Sequence, residues 1–188
     1  MVSYAIPVAP TLPNPVGLDA EIQRVQLLLA QRLTWLQVSY GKAFRYSERR
    51  EGKIVYLPKV YDLAGEYRDV LPNDNVQAQG FFLPRDPATS DLREPTFGTL
   101  PMSQVVDWVF WGNLQRIDDT RLDRFEAELL RDVLRVLASA GILVQRVYTS
   151  PDEVFKGFTT DLVKGPVLQH PYAGFRIQLE LQVANVLC

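Results

Sequence analysis

The clearest hydrophobic pattern in this chain is a strict alternation near its end. Apolar residues occupy every second position and polar residues stand between them: Phe175, Ile177, Leu179, Leu181 and Val183 are apolar, and Arg176, Gln178, Glu180 and Gln182 are polar. Because successive side chains of a strand point to opposite faces, this pattern predicts a strand of an antiparallel sheet, with one apolar and one solvent-exposed face.

Two other stretches carry apolar residues at helical spacing. The first predicts a helix over Asp19–Gln37, with Asp19 as its N-cap, and its apolar members are Ile22, Val25, Leu29, Leu33 and Leu36. The second predicts a helix over Leu122–Leu137 that ends at Gly141, and its apolar members are Leu122, Phe125, Leu129, Val133 and Val136. Thr120 and Asp123 have the spacing of a capping box before this second helix. The neighbouring pair Asp118–Asp119 is interpreted as part of the same helix start rather than as a metal site.

Several shorter segments are typical of strands. Ala43–Tyr46 and Lys53–Leu57 predict a hairpin, in which Gly41 ends the preceding helical region and Pro58 closes the second strand. Val76–Leu83 predicts a strand in which Gly80 marks a bulge or a close approach. Leu143–Thr149 predicts another strand, followed by a short helix that starts at Ser150 and Pro151. Together these elements predict an α+β fold: an antiparallel or mixed sheet with two main helices packed on one face.

The domain organisation follows from the prolines and loops. Residues 1–17 contain Pro7, Pro10, Pro13 and Pro15, which predict an extended arm. Its apolar residues favour either a strap across its own domain or an arm that docks on a neighbouring subunit. Residues 18–188 are expected to form a single domain, with a loop-rich insertion at about 59–103. Within the insertion, the long loop Arg85–Leu100 is expected to contact a partner.

The stretch Gln104–Leu114 is rich in aromatic and β-branched residues on both faces, apart from Asp107. Such a strand is either central and covered on both sides, or it presents one face to another molecule. Aromatic residues are enriched in protein interfaces, and this keeps the second interpretation open. The candidate interface residues from the arm, the loop and this strand are Tyr4, Ile6, Val8, Phe97, Trp108, Phe110 and Trp111.

Composition argues against most chemistry. The formal net charge is -2, and the densest basic stretch, Arg45 to Lys53, contains Glu48 and Glu51, so we expect no specific nucleic-acid binding. The single cysteine, Cys188, excludes an internal disulfide, and the single histidine, His170, lies in a predicted loop without a nucleophile motif. No phosphate-binding motif, signal peptide or membrane-spanning run is visible. We therefore expect no catalytic residues, no cofactor, no metal and no membrane partner.

The order of elements resembles that of the tail-terminator and tail-completion proteins of long-tailed bacteriophages. Three places carry the resemblance: the helix Asp19–Gln37 leading into Ile54–Pro58, the aromatic run Trp108–Trp111 followed by the helix Leu122–Leu137, and the final strand that starts at Pro171. The resemblance implies a non-catalytic virion protein, assembled in the host cytoplasm, that forms a ring, expected to be a hexamer. Its partners would be copies of itself, the tail-tube protein and the head-tail connector proteins.

Two other interpretations remain open from the sequence. One is a non-catalytic cytoplasmic domain that binds a small ligand or a protein, with a pocket expected near Trp108 and Trp111. The other is a hydrolase that uses two carboxylates, although no pair of acidic residues stands out in the sequence.

Overall fold

The computed structural model describes residues 10–61, 65–72, 76–85, 89–90, 99–160 and 168–186. Its elements, in chain order, are α1 (Leu18–Arg32), β1 (Val38–Arg50), β2 (Lys53–Tyr61), β3 (Tyr67–Asp69), β4 (Ala78–Pro84), β5 (Thr89–Ser90), β6 (Thr99–Asn113), α2 (Leu114–Ile117), α3 (Glu126–Ser139), β7 (Leu143–Tyr148), α4 (Pro151–Val154) and β8 (Tyr172–Val186). The fold is α+β, as the sequence predicts, and the sheet dominates it.

The strands form one mixed sheet in the order β3-β2-β1-β4-β6-β8-β7. The short strand β5 is outside this order and pairs with β6. β1 and β4 are parallel, and the other pairs are antiparallel. β1 joins two parts of the sheet, because its first residues pair with β4 and its residues from Ala43 onward pair with β2. The hairpin of β1 and β2 therefore extends from the sheet centre to one edge.

Both faces of the central sheet are covered. On one face, α1 and α3 pack over Trp108, Phe110 and Ile177, which confirms two main helices on one side. On the other face, Val109 and Trp111 pack with Val154 and Phe155 of the α4 region. This second layer overturns part of the prediction for β8: Arg176 and Gln178, expected in solvent, are 5% and 9% exposed.

The boundaries of α1 and the hairpin differ from those predicted. α1 starts after Gly17, not at a side-chain cap from Asp19, and it ends at Arg32 because Leu33 is already extended. Gly41 lies inside β1, and Pro58 lies inside β2 opposite Arg45. The carbonyl of Pro58 accepts the N–H of Val70 on the side away from β1. The missing donor of Pro58 faces that same side, so the β1–β2 ladder loses no bond.

The start of α3 was also predicted wrongly. Thr120 does not cap the helix, because its N–H and its hydroxyl both donate to Asp118 Oδ1, at 3.1 and 2.6 Å, in a tight turn. The helix begins six residues later, at Glu126, and Leu122 is left 84% exposed. Its end agrees with the prediction: Gly141 has φ +69°, and Ile142 N–H donates to Leu137 O as in a Schellman cap.

The segment predicted as a loop-rich insertion contains much of the sheet. β3, β4 and β5 lie inside it, and β4 is a central strand between β1 and β6. Thr89 and Ser90 pair with Ser103 and Met102, so the predicted loop Arg85–Leu100 is shortened from both sides. The other residues of that loop, 86–88 and 91–98, lie outside the described residues.

Candidate interaction surface

The aromatic residues of β6 are core residues, which corrects their assignment as an interface. Trp108 and Phe110 are fully buried and Trp111 is 3% exposed. β6 lies between β4 and β8, and its rings pack on Trp35, Phe175 and Tyr172 of the same chain. These side chains cannot reach a partner while the fold is intact. The other candidates, Tyr4, Ile6, Val8 and Phe97, lie outside the described residues.

Exposed aromatic residues are found instead on the outer part of the sheet. We call the side chains of Phe44, Tyr46, Tyr61 and Tyr67 the hairpin surface. The strand register places all four on one face of β1, β2 and β3. They are 42%, 48%, 40% and 52% exposed. Tyr67 packs edge-on against both Phe44 and Tyr61, with ring centroids 5.9 and 5.5 Å apart.

The hairpin surface was not predicted from the sequence. A strand pair at the edge of a sheet ordinarily places polar residues on its solvent side. Here the aromatic residues alternate with Arg45, Ser47 and Val60. This mixture of polar and apolar residues on the other face is typical of an ordinary hairpin. The signal that was present is the spacing of aromatic residues at alternate positions of β1, together with Tyr61 at the end of β2 and Tyr67 at the start of β3.

A pocket of about 270 Å³ separates the hairpin surface from α1. Its aromatic wall is formed by Phe44, Tyr61 and Tyr67, and its α1 wall by Ile22, Gln23 and Gln26. The remaining side is formed by Pro10–Leu12, which we call the strap. The pocket is thus bounded by an element of the arm as well as by the domain.

The strap is held to α1 by two glutamine side chains. Leu12 N–H donates to Gln23 Oε1 at 2.6 Å, and Gln23 Nε2 donates to Leu12 O at 3.3 Å. Gln26 Nε2 donates to Pro10 O and to Ser39 O, both at 2.7 Å. Gln26 is 1% exposed, so its amide joins the arm, α1 and β1 at a buried point. For these residues the arm lies on its own domain.

Charge at the pocket comes from one ion pair. Lys42 Nζ lies 3.0 Å from Asp19 Oδ1 and 5.3 Å from the centre of the Phe44 ring. Both charged side chains are about one-third exposed. Aromatic walls combined with amide groups that bond backbone carbonyls are the features with which proteins bind extended, proline-rich segments.

Two cations of the hairpin, Arg50 and Lys59, share the same two carboxylates. Arg50 and Lys59 both contact Glu48, and both also contact Asp69. The hydrogen bond from Arg50 lowers the pKa of the Glu48 carboxyl below its usual value. On the opposite face, the Arg45 guanidinium stacks 3.9 Å from the Tyr56 ring centre and donates to Gly157 O.

A buried ion cluster lies on the sheet face opposite the two main helices. Asp107 is completely buried and accepts hydrogen bonds from Arg85 Nε, at 2.6 Å, and from Arg176 Nη2. Arg176 Nη1 donates to Lys156 O at 3.1 Å, just after α4. The bond to Asp107 raises the pKa of Arg85. The sequence marks Asp107 as the only charged residue of its strand, but does not show its partners.

The side chains that most often serve in catalysis or metal binding do not form a cluster in the described part of the chain. His170 Nε2 lies 3.4 Å from Gln115 Nε2, near the protein surface. Within the described ranges, no three His, Cys, Asp or Glu side chains come together as metal ligands. No helix among those same residues is long and apolar enough to cross a membrane. The pocket and the hairpin surface are therefore the candidate sites of interaction.

Comparison with known proteins assigns no family to this chain. No protein-family model matches the sequence, and a comparison with curated proteins gives no significant match. Function must therefore be inferred from the residues and their geometry.

Proposed function

We propose that this chain is a structural virion protein, a tail-terminator or neck subunit that forms a ring, expected to be a hexamer, at the head-proximal end of a phage tail tube. In this role it contacts copies of itself, the tail-tube protein and the head-tail connector proteins. It acts through surface complementarity and performs no catalysis. The proposal extends the resemblance in the order of elements, and it is supported by the surfaces described above.

The hairpin surface is the observation that carries the proposal. Large exposed apolar side chains are normal when scattered, but a cluster of them marks a contact site. Of the ten large hydrophobic side chains exposed in the described part of the chain, four form the hairpin surface. Aromatic side chains supply much of the contact energy of protein interfaces. We infer that this part of the sheet is covered in the assembled protein.

The opposite edge of the sheet provides a second, different surface. β7 is the last strand of the sheet, and no described strand pairs with its outer side. Leu143 and Val147 of this strand are 58% and 37% exposed. A subunit with different contact surfaces at two ends can form head-to-tail contacts, which close into a ring when the rotation between subunits permits. This arrangement supports the ring rather than a two-fold dimer.

Electron microscopy tests the proposal directly. The protein is co-expressed with the tail-tube protein encoded by the same genome, and negatively stained particles are imaged. We expect rings in the purified protein or at one end of each tube, and tubes of uncontrolled length when the protein is omitted. Tubes that remain bare at both ends, together with isolated single subunits, would contradict the proposal.

A non-catalytic domain that binds a small ligand or a protein is the second candidate. The pocket of about 270 Å³ with its aromatic wall favours it, because ligand sites are typically apolar with a few polar groups. The expected location near Trp108 and Trp111 is wrong, since both side chains are buried in the core. A ligand that raises the thermal midpoint of a strictly monomeric protein would favour this candidate over the ring.

A further inference from the structure

We propose that the pocket between α1 and the hairpin surface binds the proline-rich arm of a second copy of this chain, through the segment around Tyr4–Val8. This inference rests on the proposed ring and identifies one of its contacts. The occupant is suggested by the protein itself, because the described chain begins at Pro10, in the wall of the pocket.

The strap shows what the site can recognise. Gln23 and Gln26 bind the backbone of Pro10 and Leu12, so the site already holds an extended proline-containing segment through its main-chain groups. The amides of Gln23 and Gln26 are engaged by these bonds, so a second segment would pack on the aromatic wall, which favours apolar side chains. Tyr4, Ile6, Pro7 and Val8 offer such side chains in a segment of the same character.

The length of the arm favours a second copy over the chain's own arm. A cube of 270 Å³ has an edge of about 6.5 Å, which matches two or three extended residues. Ile6 and Ala9 each precede a proline, and this position disfavours the helical conformation that a reversing turn would require. An extended segment spans roughly 3 Å per residue, so the arm from Tyr4 to Pro10 can reach over about 18 Å. An arm of this length is long enough to enter the pocket of an adjacent subunit.

The two sides of the contact are chemically matched. The pocket presents the rings of Phe44, Tyr61 and Tyr67. Extended proline-rich segments pack well on such rings, because they lose little conformational entropy on binding. The pair Lys42–Asp19 is neutral overall, and Met1–Ala9 contains no charged side chain, so no unpaired charge is buried by the contact.

Site-specific photo-cross-linking tests the inference. The full chain is produced with benzoylphenylalanine in place of Tyr4, assembled and irradiated, and the adducts are separated on a denaturing gel. We expect an adduct of twice the 21.4 kDa subunit mass, with its cross-linked peptides mapping to α1 or to Lys42–Phe44. Tyr67→Ser should lower the yield of this adduct at least fivefold. Ile54→Ser, which changes an even more exposed residue on the other face of the hairpin, should leave the yield unchanged.

The results separate this inference from the proposed function. An adduct of single-subunit mass that joins residue 4 to its own pocket would overturn the inference. So would the absence of adducts, or adducts that do not depend on Tyr67. If light scattering still gives the molar mass of an assembled protein in those cases, only the inference fails. If neither rings nor intermolecular adducts form, the proposed function fails as well.

Discussion

Neutralising Asp107 should destabilise the protein strongly, because the substitution leaves a buried arginine without its counter-charge. The Asp107 side chain is fully buried and that of Arg176 is 6% exposed. Asp107→Asn keeps the shape of the side chain and removes its charge. The Arg176 guanidinium remains in place, held by Lys156 O and Glu153 O. Arg85 is affected less, because its side chain is 37% exposed and can turn to water.

The size of this effect can be estimated from the burial. Removing one partner of a buried ion pair typically costs about 3–5 kcal/mol. A chain of 188 residues has an unfolding entropy of about 0.4 kcal/mol/K near its midpoint. The thermal midpoint of Asp107→Asn should therefore fall by about 8–13 °C.

Thermal unfolding followed by circular dichroism measures this shift, with urea unfolding as a second assay. The matched control is Asp123→Asn, which removes an exposed carboxylate from its pair with Arg121 and should leave the midpoint unchanged. A shift for Asp107→Asn no larger than that of the control would refute the reasoning.

A double variant provides a further check on the cause. Asp107→Leu combined with Arg176→Met removes both buried charges and keeps similar side-chain volumes. Such replacements are often neutral or stabilising. We expect the double variant to regain most of the stability lost by Asp107→Asn. If it is less stable than the single variant, the loss does not arise from an unpaired charge.

Two further predictions concern other parts of the fold. Gly80→Ala should cost about 1–3 kcal/mol in urea unfolding, because its Cβ would lie 2.5 Å from Cζ2 of the buried Trp108; wild-type stability would contradict this packing. In α3, hydrogen bonds from Arg121 lower the Glu128 pKa below its usual 4.5. The resulting stability is fully present above pH 4.5 and lost as pH falls through the lower folded pKa. An NMR titration should show the Glu128 pKa rising toward 4.5 in Arg121→Gln, and an unchanged pKa would exclude this cause.

The sequence predicted correctly those elements that depend on residues close together in the chain. The alternation from Phe175 to Val183 predicted β8, and a glycine with positive φ at Gly141 ends α3 as expected. The hairpin was predicted from the strand-like segments Ala43–Tyr46 and Lys53–Leu57, but its turn is shorter than expected, because β1 continues to Arg50 and only Glu51 and Gly52, both with positive φ, separate the strands. Gly80 is a close approach, as predicted, because Trp108 of the adjacent strand lies where a side chain would be.

The errors arose where distant residues decide the outcome. β8 was expected to have one wet face, but the α4 region covers Arg176, whose partner Asp107 is 69 positions away. Pro58 was expected to end β2, but its missing donor faces away from β1. Trp108 and Phe110 could be assigned to the core or to an interface from the sequence alone, and only the pairing of β6 with β4 and β8 decides between them.

The pocket shows the same limit on prediction from sequence. Gln23 and Gln26 appear in the sequence as part of the polar side of an amphipathic helix. Their hydrogen bonds to Leu12 and Pro10 depend on where the arm crosses α1. No periodic pattern encodes that crossing, because the strap Pro10–Leu12 has no regular secondary structure of its own.

The molar mass of the assembled protein tests the central claim most directly. Light scattering at micromolar concentration, with and without the tail-tube protein, should give a mass several times 21.4 kDa for the wild type. The double variant Phe44→Ser with Tyr67→Ser should lower the fraction of assembled protein while retaining its circular dichroism spectrum. A wild-type mass of 21.4 kDa under every condition would contradict the claim that this chain works by assembling with copies of itself.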